Sequence, residues 1–300
     1  MSENQNAPRQ PVAAALGNFD GLHIGHATVI EAAVRQEARG FDPVVLKFRE
    51  HPMRFFPGGE RGLILTDEED GRRIESLGAR VEYLDFSAVR GLSPAEFIDG
   101  VLLPLGVRFV SCGYNYRFGK NAAGDAGTLK ELCEKRNIEV CVCGKVEYHG
   151  TAVSSTAIRE ALKDGDIPLA NAMLGYRYGY CFEVVHGDAR GRALGAPTAN
   201  QFFPPELLTP RYGVYVSSVE IGGRSYPGVT NIGIRPTVGG EARSETHIVG
   251  FDGDLYGSLL RVEPIRYLRE ERRFASLEEL SAQIARDKAQ SLEIFNGEVN

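Results

Sequence analysis

At roughly 150 residues per domain, a chain of 300 residues has room for two domains, each with its own core. Its 43% hydrophobic and 25% charged residues make a folded chain rather than a disordered one, and no apolar run approaches the ~18 residues a membrane helix needs. The net charge of -6, spread over both halves, lacks the basic surplus that binding a nucleic-acid backbone demands, so nucleic acid and membrane are excluded as partners.

The polar first ten residues are expected to be disordered, and Val12–Leu16 is too short an apolar run for a secretory leader. The five cysteines include no CxxC pair, so the expected compartment is a reducing cytoplasm with no structural metal.

In chain order, Val12–Leu16 predicts a strand that ends at Gly17, and residues 26–39 carry apolar side chains at helical spacing. Further strands are expected at 44–48, 81–84, 108–112 and 138–143. Helices are expected at 94–103, at 128–136 and after Thr66, whose hydroxyl and Glu69 form a capping signature. Strands alternating with helices imply a parallel sheet wound on both faces, with ligands at the carboxyl ends of the strands.

After residue 150 the pattern changes. Two short helices, 155–163 and 168–174, lead into short alternating segments at 180–185, 214–221, 226–229, 246–251 and 259–265. Glycine-containing turns at intervals of about ten residues predict a small antiparallel β-barrel. A terminal helix over 277–295, with Leu277, Leu280, Ile284 and Ala285 as its apolar stripe, is expected to cover it. The change in character sets the predicted domains at 1–172 and 173–300.

Residues 17–26, GNFDGLHIGH, connect the first strand to the first helix. Gly17 and Gly25 permit a tight approach of backbone to ligand, Phe19 and Asp20 lie between them, and the helix start offers free amides to an anion. His23 and His26, three apart, project to one face, where two imidazoles can donate to phosphoryl oxygens as charge develops. The string resembles the HxGH signature of the nucleotidyltransferase superfamily. Residues 153–159, VSSTAIR, resemble that superfamily's second signature, which implies that Ser154, Ser155, Thr156 and Arg159 form a further phosphate cradle. Residues 112–125 resemble the GxDFRFGxxxxGD segment of the FMN adenylyltransferase branch, which implies flavin contacts from Asn115, Arg117 and Phe118. His51 opens a second, weaker match, in which Arg49 and Glu50 replace an acidic-proline pair.

Residues 186–200, HGDARGRALGAPTAN, follow the first strand of the β-rich half and resemble the riboflavin kinase motif GxxRGRxLGxPTAN. Gly187, Arg190, Gly191 and Gly195 would wrap nucleotide phosphates, and Thr198 and Asn200, two apart on extended chain, offer oxygens to Mg²⁺. Downstream, residues 228–237 and 245–248 resemble the motifs NIGxRPT and ETHI. Glu245 is the candidate general base toward the ribityl 5′-hydroxyl, and Asn231 could position that hydroxyl or a phosphoryl oxygen. His247 reads as a sheet histidine with a satisfied hydrogen bond. Residues 268–274 resemble LRxExxF, with Arg269 as a flavin contact.

Taken together, the chain resembles the bifunctional riboflavin kinase/FMN adenylyltransferase (FAD synthetase) family from about residue 12 to 295. The resemblance implies phosphorylation of riboflavin to FMN by ATP, then adenylylation of FMN to FAD, with ATP, riboflavin, FMN and FAD as substrates or products. Two alternatives stay open: a riboflavin kinase with a degenerate first half, and a flavin sensor without turnover. Oligomeric state is not legible, and a homo-oligomer is compatible with the sequence.

Overall fold

The computed structural model describes residues 10–49, 62–187, 197–234 and 240–298. By packing, the chain forms two units: residues 1–61 with 65–154, and residues 62–64 with 155–300.

The first unit is built on five parallel strands, β1 (Val12–Leu16), β2 (Asp42–Phe48), β3 (Arg80–Leu84), β4 (Val107–Gly113) and β5 (Glu139–Cys143), in the order β3-β2-β1-β4-β5. Strand β1 lies at the centre, and its alanines 13, 14 and 15 are wholly buried, so helices can approach both faces closely. On one face Ala13, Ala15 and Val45 pack with Val29, Ile30 and Ala33 of α1 (Ile24–Val34). On the other, Ala14, Leu16 and Val110 pack with Leu129 and Cys133 of α3 (Ala126–Glu134).

Chain order reverses between β1 and β4, the switch point at which doubly wound sheets bind ligands. Helix α1 starts two residues earlier than its periodicity predicts, capped by His23, and gives way to a 3₁₀ turn at Arg35–Arg39. The expected helix 94–103 is one α turn, Pro94–Phe97, running into a π turn at Ile98–Leu102.

A buried ion pair ties α2 (Asp67–Ser76) to the sheet. Lys47 of β2 donates to Asp70 at 2.8 Å and to Asp67 at 2.9 Å, with Lys47 and Asp70 almost fully buried. Desolvation pushes the Asp70 carboxyl up to about 7, against the pull of the Lys47 ammonium. Thr66 caps α2 by accepting from the Glu69 amide, as its sequence predicts.

The second unit holds α4 (Ser155–Asp164), α5 (Ile167–Leu174) and a six-stranded antiparallel sheet. Its strands β6 (Tyr180–Glu183), β7 (Thr198–Phe202), β8 (Gly213–Ile221), β9 (Arg224–Ile234), β10 (Ala242–Ile248) and β11 (Leu259–Arg269) run in the order β6-β11-β8-β9-β10-β7. The bridge between Val185 and Asn200 draws the two edges together. Gln201 adds amide bonds of 2.8 Å to the carbonyls of Phe182 and Leu260, so the sheet nearly closes into a barrel. Helices α4 and α5 pack with this unit, whereas residue 172 marks where the sequence turns β-rich.

The terminal helix α6 (Leu277–Glu298) packs on β8 and β9, but not through the stripe its periodicity suggests. Leu277 is 67% exposed, and the buried positions are Asp287, Ser291 and Phe295. Ser291 Oγ donates to the Gly228 carbonyl at 3.0 Å, Asp287 takes Arg269 Nη2 at 2.7 Å, and Phe295 joins Val216 and Ile265. A stripe counted on apolar residues alone misses a seam half made of polar groups.

Replacing Lys47 by Met leaves the Asp70 carboxyl buried without its partner, which costs about 3–5 kcal/mol. Because burial raises Asp70 above its unfolded value, the folded variant holds a proton that the unfolded chain releases, so its stability is lost as pH rises. Hydrogen exchange of the β1 and β2 amides in Lys47→Met should show a larger loss of protection at pH 8 than at pH 5. Equal loss at both values would mean that Asp70 keeps a compensating partner.

Candidate functional sites

The loop after β1 stores strain at the switch point. Phe19, Gly21 and Leu22 have φ of 51°, 75° and 33°, and left-handed backbone costs about 1–3 kcal/mol at each non-glycine position. Phe19 is fully buried, and a Cβ on Gly17 would lie 3.0 Å from its ring. Gly17 therefore makes room for Phe19, which meets the edge of His26 at a centroid distance of 5.3 Å. Gly25 plays the same part toward His23, whose ring would lie 3.2 Å from a Cβ at that position.

His23 and His26 stack with centroids 3.6 Å apart. His23 is the N-cap of α1: its Nδ1 accepts from the His26 backbone N–H at 3.2 Å, which leaves the ring proton on Nε2. Desolvation lowers His23 to about 4 and His26 well below the ordinary imidazole value. Both rings are thus neutral near pH 7. His26 Nδ1 is sealed from solvent and has no partner among the described residues, a polar atom that a ligand could satisfy. Asp20, buried in the same loop, contributes negative charge toward Asp70.

Beside this loop, at the carboxyl ends of β1 and β2, a cavity of about 760 Å³ is lined by Gly17, Asn18, Phe48, Phe86, Phe97, Tyr116, Arg117 and Phe118. Tyr116 stacks on Phe118 at 5.7 Å and Phe97 meets it edge-on, so the wall is aromatic and suits a flat ring system. Arg117 and Phe118 reach this cavity. Asn115, exposed in the turn before it, is not part of the lining. Tyr116, two residues before Phe118, stands at the first aromatic position of the segment that resembles GxDFRFGxxxxGD.

Ser155 and Thr156 occupy the first turn of α4 behind Ser154. Arg159, one turn on, is buried and donates from Nε to the Gly62 carbonyl at 3.0 Å. Arg190, Gly191, Gly195, Glu50 and the His51 segment lie outside the described residues.

In the second unit one cross-strand row gathers most of the expected residues. Asn200 of β7 pairs with Glu245 of β10, Glu245 with Asn231 of β9, Asn231 with Val214 of β8, and Val214 with Arg269 of β11. Directly opposed residues present their side chains on the same face. Thr198, His247 and Val229 form the next row. All of these residues except Asn200, with Phe274, Leu280 and Ile284, line a cavity of about 300 Å³.

Thr198 also lines a second cavity of about 450 Å³, bounded by Phe251 and residues 252–256. Tyr256 at that cavity stacks on His186 at 3.8 Å. A Cβ on Gly187 would lie 2.4 Å from Asn200 Nδ2, so only glycine lets the chain pass over that carboxamide.

Glu245 is ion-paired with Arg243, two residues away on the same face. Arg269 is held by both Asp287 oxygens, and Gln283 donates to the same carboxylate at 2.7 Å. His247 Nδ1 lies 2.9 Å from the Pro197 carbonyl, the satisfied bond expected of it, but its Nε2 is buried without a partner among the described residues. Asp287 carries no local sequence signal, since an acidic residue in a polar helix reads as solvated. Among the described residues no cluster of three or more His, Cys, Asp or Glu could hold a metal ion.

Residues 5–157 match the family model described as FAD synthetase, and residues 174–295 match the one described as riboflavin kinase. A bifunctional riboflavin kinase/FMN adenylyltransferase of Pseudomonas fluorescens is 39% identical over 283 residues, covering 92% of this chain and 90% of that protein. One of Bacillus subtilis is 34% identical over 291 residues, covering 94% and 92%. A solved structure described as a macrolide-efflux protein from Streptococcus pneumoniae aligns with a TM-score of 0.87 and 31% identity over 96% of this chain and 95% of that one. Among the described residues, no helix here is long and apolar enough to cross a membrane.

The neutral, buried histidines make a stability prediction. Unfolding frees them to bind protons, so the first unit should lose stability as pH falls from about 6.5 toward 4. His23→Ala removes the cap of α1 and should cost about 0.5–2 kcal/mol, whereas His23→Asn keeps a capping oxygen and should cost a few tenths. Hydrogen exchange of the α1 amides checks both, and the acid-side loss should be shallower in His23→Asn than in the parent.

Proposed function

We propose a division of labour among these residues from the premise that the chain belongs to the bifunctional riboflavin kinase/FMN adenylyltransferase family. It phosphorylates riboflavin with ATP, giving FMN and ADP, and transfers the adenylyl group of a second ATP to FMN, giving FAD and pyrophosphate.

The kinase step is assigned to residues 173–300. Riboflavin occupies the cavity of about 300 Å³ and ATP the neighbouring one of about 450 Å³, and the observation that carries this reading is that both are lined by Thr198. The phosphoryl group then crosses beside Thr198, one residue row from Glu245. Glu245, oriented by its pair with Arg243, accepts the proton of the 5′-hydroxyl as that oxygen attacks the γ-phosphorus and ADP leaves.

Arg269, fixed by Asp287, holds the flavin. Gly187 is assigned to the nucleotide phosphates, together with Arg190, Gly191 and Gly195, which lie outside the described residues. Thr198 and Asn200 would hold Mg²⁺: hydroxyl and carboxamide oxygens suit a hard cation, and the bare backbone at Gly187 leaves Asn200 room. When bound, Mg²⁺ neutralises charge on the phosphate oxygens.

The adenylyl step is assigned to residues 1–172. FMN takes the aromatic cavity of about 760 Å³, against Arg117 and Phe118, with Asn115 at its approach. His23 and His26 donate to the phosphates of ATP beside the helix start, in company with Gly17, Phe19, Asp20 and Gly25. Ser154, Ser155, Thr156 and Arg159 supply the second phosphate cradle. The FMN phosphate oxygen attacks the α-phosphorus and pyrophosphate leaves, so the protein need only position groups and neutralise charge. The five free cysteines support a reducing, cytoplasmic setting.

Incubation with riboflavin, ATP and Mg²⁺ followed by chromatography should yield FAD. Glu245→Gln should cut the kcat of riboflavin phosphorylation by ~10²–10⁴ while leaving conversion of supplied FMN to FAD unchanged. A loss under tenfold would remove Glu245 as the base. His26→Ala should do the converse, lowering adenylylation by ~10²–10³ with FMN still formed. FAD made by that variant at the parental rate would overturn the first assignment.

A further inference from the structure

The two ends of the Asn231 carboxamide meet different surroundings. Its Nδ2 donates to Glu271 Oε1 at 2.8 Å, and its Oδ1 is buried with no partner among the described residues. Strand β9 makes room for that carboxylate: a Cβ on Gly233 would lie 2.5 Å from Glu271 Oε1. An asparagine amide is free to turn over when its neighbours do not distinguish the ends. Here they do. Turned over, the amide oxygen would face a carboxylate, two acceptors would oppose one another, and the donated bond would be lost.

Glu271 therefore decides which end of Asn231 is left for a ligand, and that end is an acceptor. A buried amide oxygen without a donor is costly, so the ligand must bring an O–H or N–H group. Phosphoryl oxygens and the carbonyls of the flavin ring are acceptors and cannot serve. Asn231 stands directly across the strand pair from Glu245, whose partner is the 5′-hydroxyl at one end of the ribityl chain. Opposed side chains in such a pair start ~5 Å apart, which is the scale of the spacing between ribityl hydroxyls and well short of the far edge of the ring.

The geometry points to Asn231 Oδ1 as the acceptor for a non-reacting hydroxyl of the riboflavin ribityl chain, with Glu271 as the positioning residue that sets its polarity. The inference rests on the assignment of this cavity to riboflavin. It makes the kinase site selective for a polyol side chain, not only for a flat ring.

The test uses the full-length protein with ATP, Mg²⁺, and riboflavin or its 2′-, 3′- and 4′-deoxy analogues. The parent should lose about tenfold or more in kcat/KM for one of the three analogues. In Asn231→Ala and Glu271→Ala that discrimination should fall below about threefold, with KM for riboflavin raised and KM for ATP unchanged. Glu271→Gln, whose amide oxygen can still accept from Nδ2, should restore it. A parent that treats all three analogues alike overturns the hydroxyl bond, and Glu245→Gln still failing to turn over riboflavin would leave the cavity assignment standing. Asn231→Ala and Glu271→Ala variants that keep the full discrimination overturn the role of this pair. A riboflavin KM unmoved in Asn231, Glu271 and Arg269 variants alike overturns the cavity assignment itself. Should Glu271→Ala fail to fold, the parent's ranking of the analogues decides alone.

Discussion

Strand β10 is hydrogen-bonded along both edges, to β7 and to β9, and the register of those ladders decides which side chains stand opposite one another. Through β8 the same row reaches β11, so Asn200, Glu245, Asn231 and Arg269 meet although they are spread over 70 residues of sequence. A slip of one residue would turn every one of them to the other face of the sheet. The register is held by buried polar contacts as well as by the ladder: Thr230 and Thr246 hydroxyls lie 3.0 Å apart beneath the row. The chemistry of the second unit is therefore a property of strand pairing before it is a property of any one residue.

The first unit solves its problem differently. Its site is made by one loop at the end of one strand, and the loop is shaped by local packing: Gly17 under Phe19, Phe19 against His26, His26 on His23. Burial keeps both imidazoles neutral, and the capping bond sets the tautomer of one of them. Local strain is tolerated there because β1 is buried and paired on both edges, so the loop hangs from the buried central strand of the sheet.

What the sequence discloses follows this contrast. The histidines, glycines and the Phe19 position are legible in ten consecutive residues, since the motif is local and so is its geometry. The alternation of strand and helix shows the parallel sheet, and the ten-residue rhythm after residue 170 shows the barrel. The pairing of Asn231 with Glu271, forty positions apart, has no local trace. Nor does the grip of Asp287 on Arg269, because helical periodicity is read from apolar residues and this helix buries an aspartate and a serine. The fold is legible wherever burial is periodic, and the sites wherever a motif is contiguous. Long-range polar partners emerge only once the chain is folded.

The polar seam of α6 has a consequence for how sharply the Arg269 guanidinium is placed. A helix docked by hydrocarbon alone can shift along its groove with little change in buried area, since one methyl replaces another. Across the interface Asp287 and Ser291 each answer to a single group, a guanidinium and the Gly228 carbonyl. Sliding the helix by about 5.4 Å would strand a carboxylate and a carbonyl in a dry interface. The seam thus behaves as a key with two teeth, admitting one axial position of the helix and rejecting its neighbours.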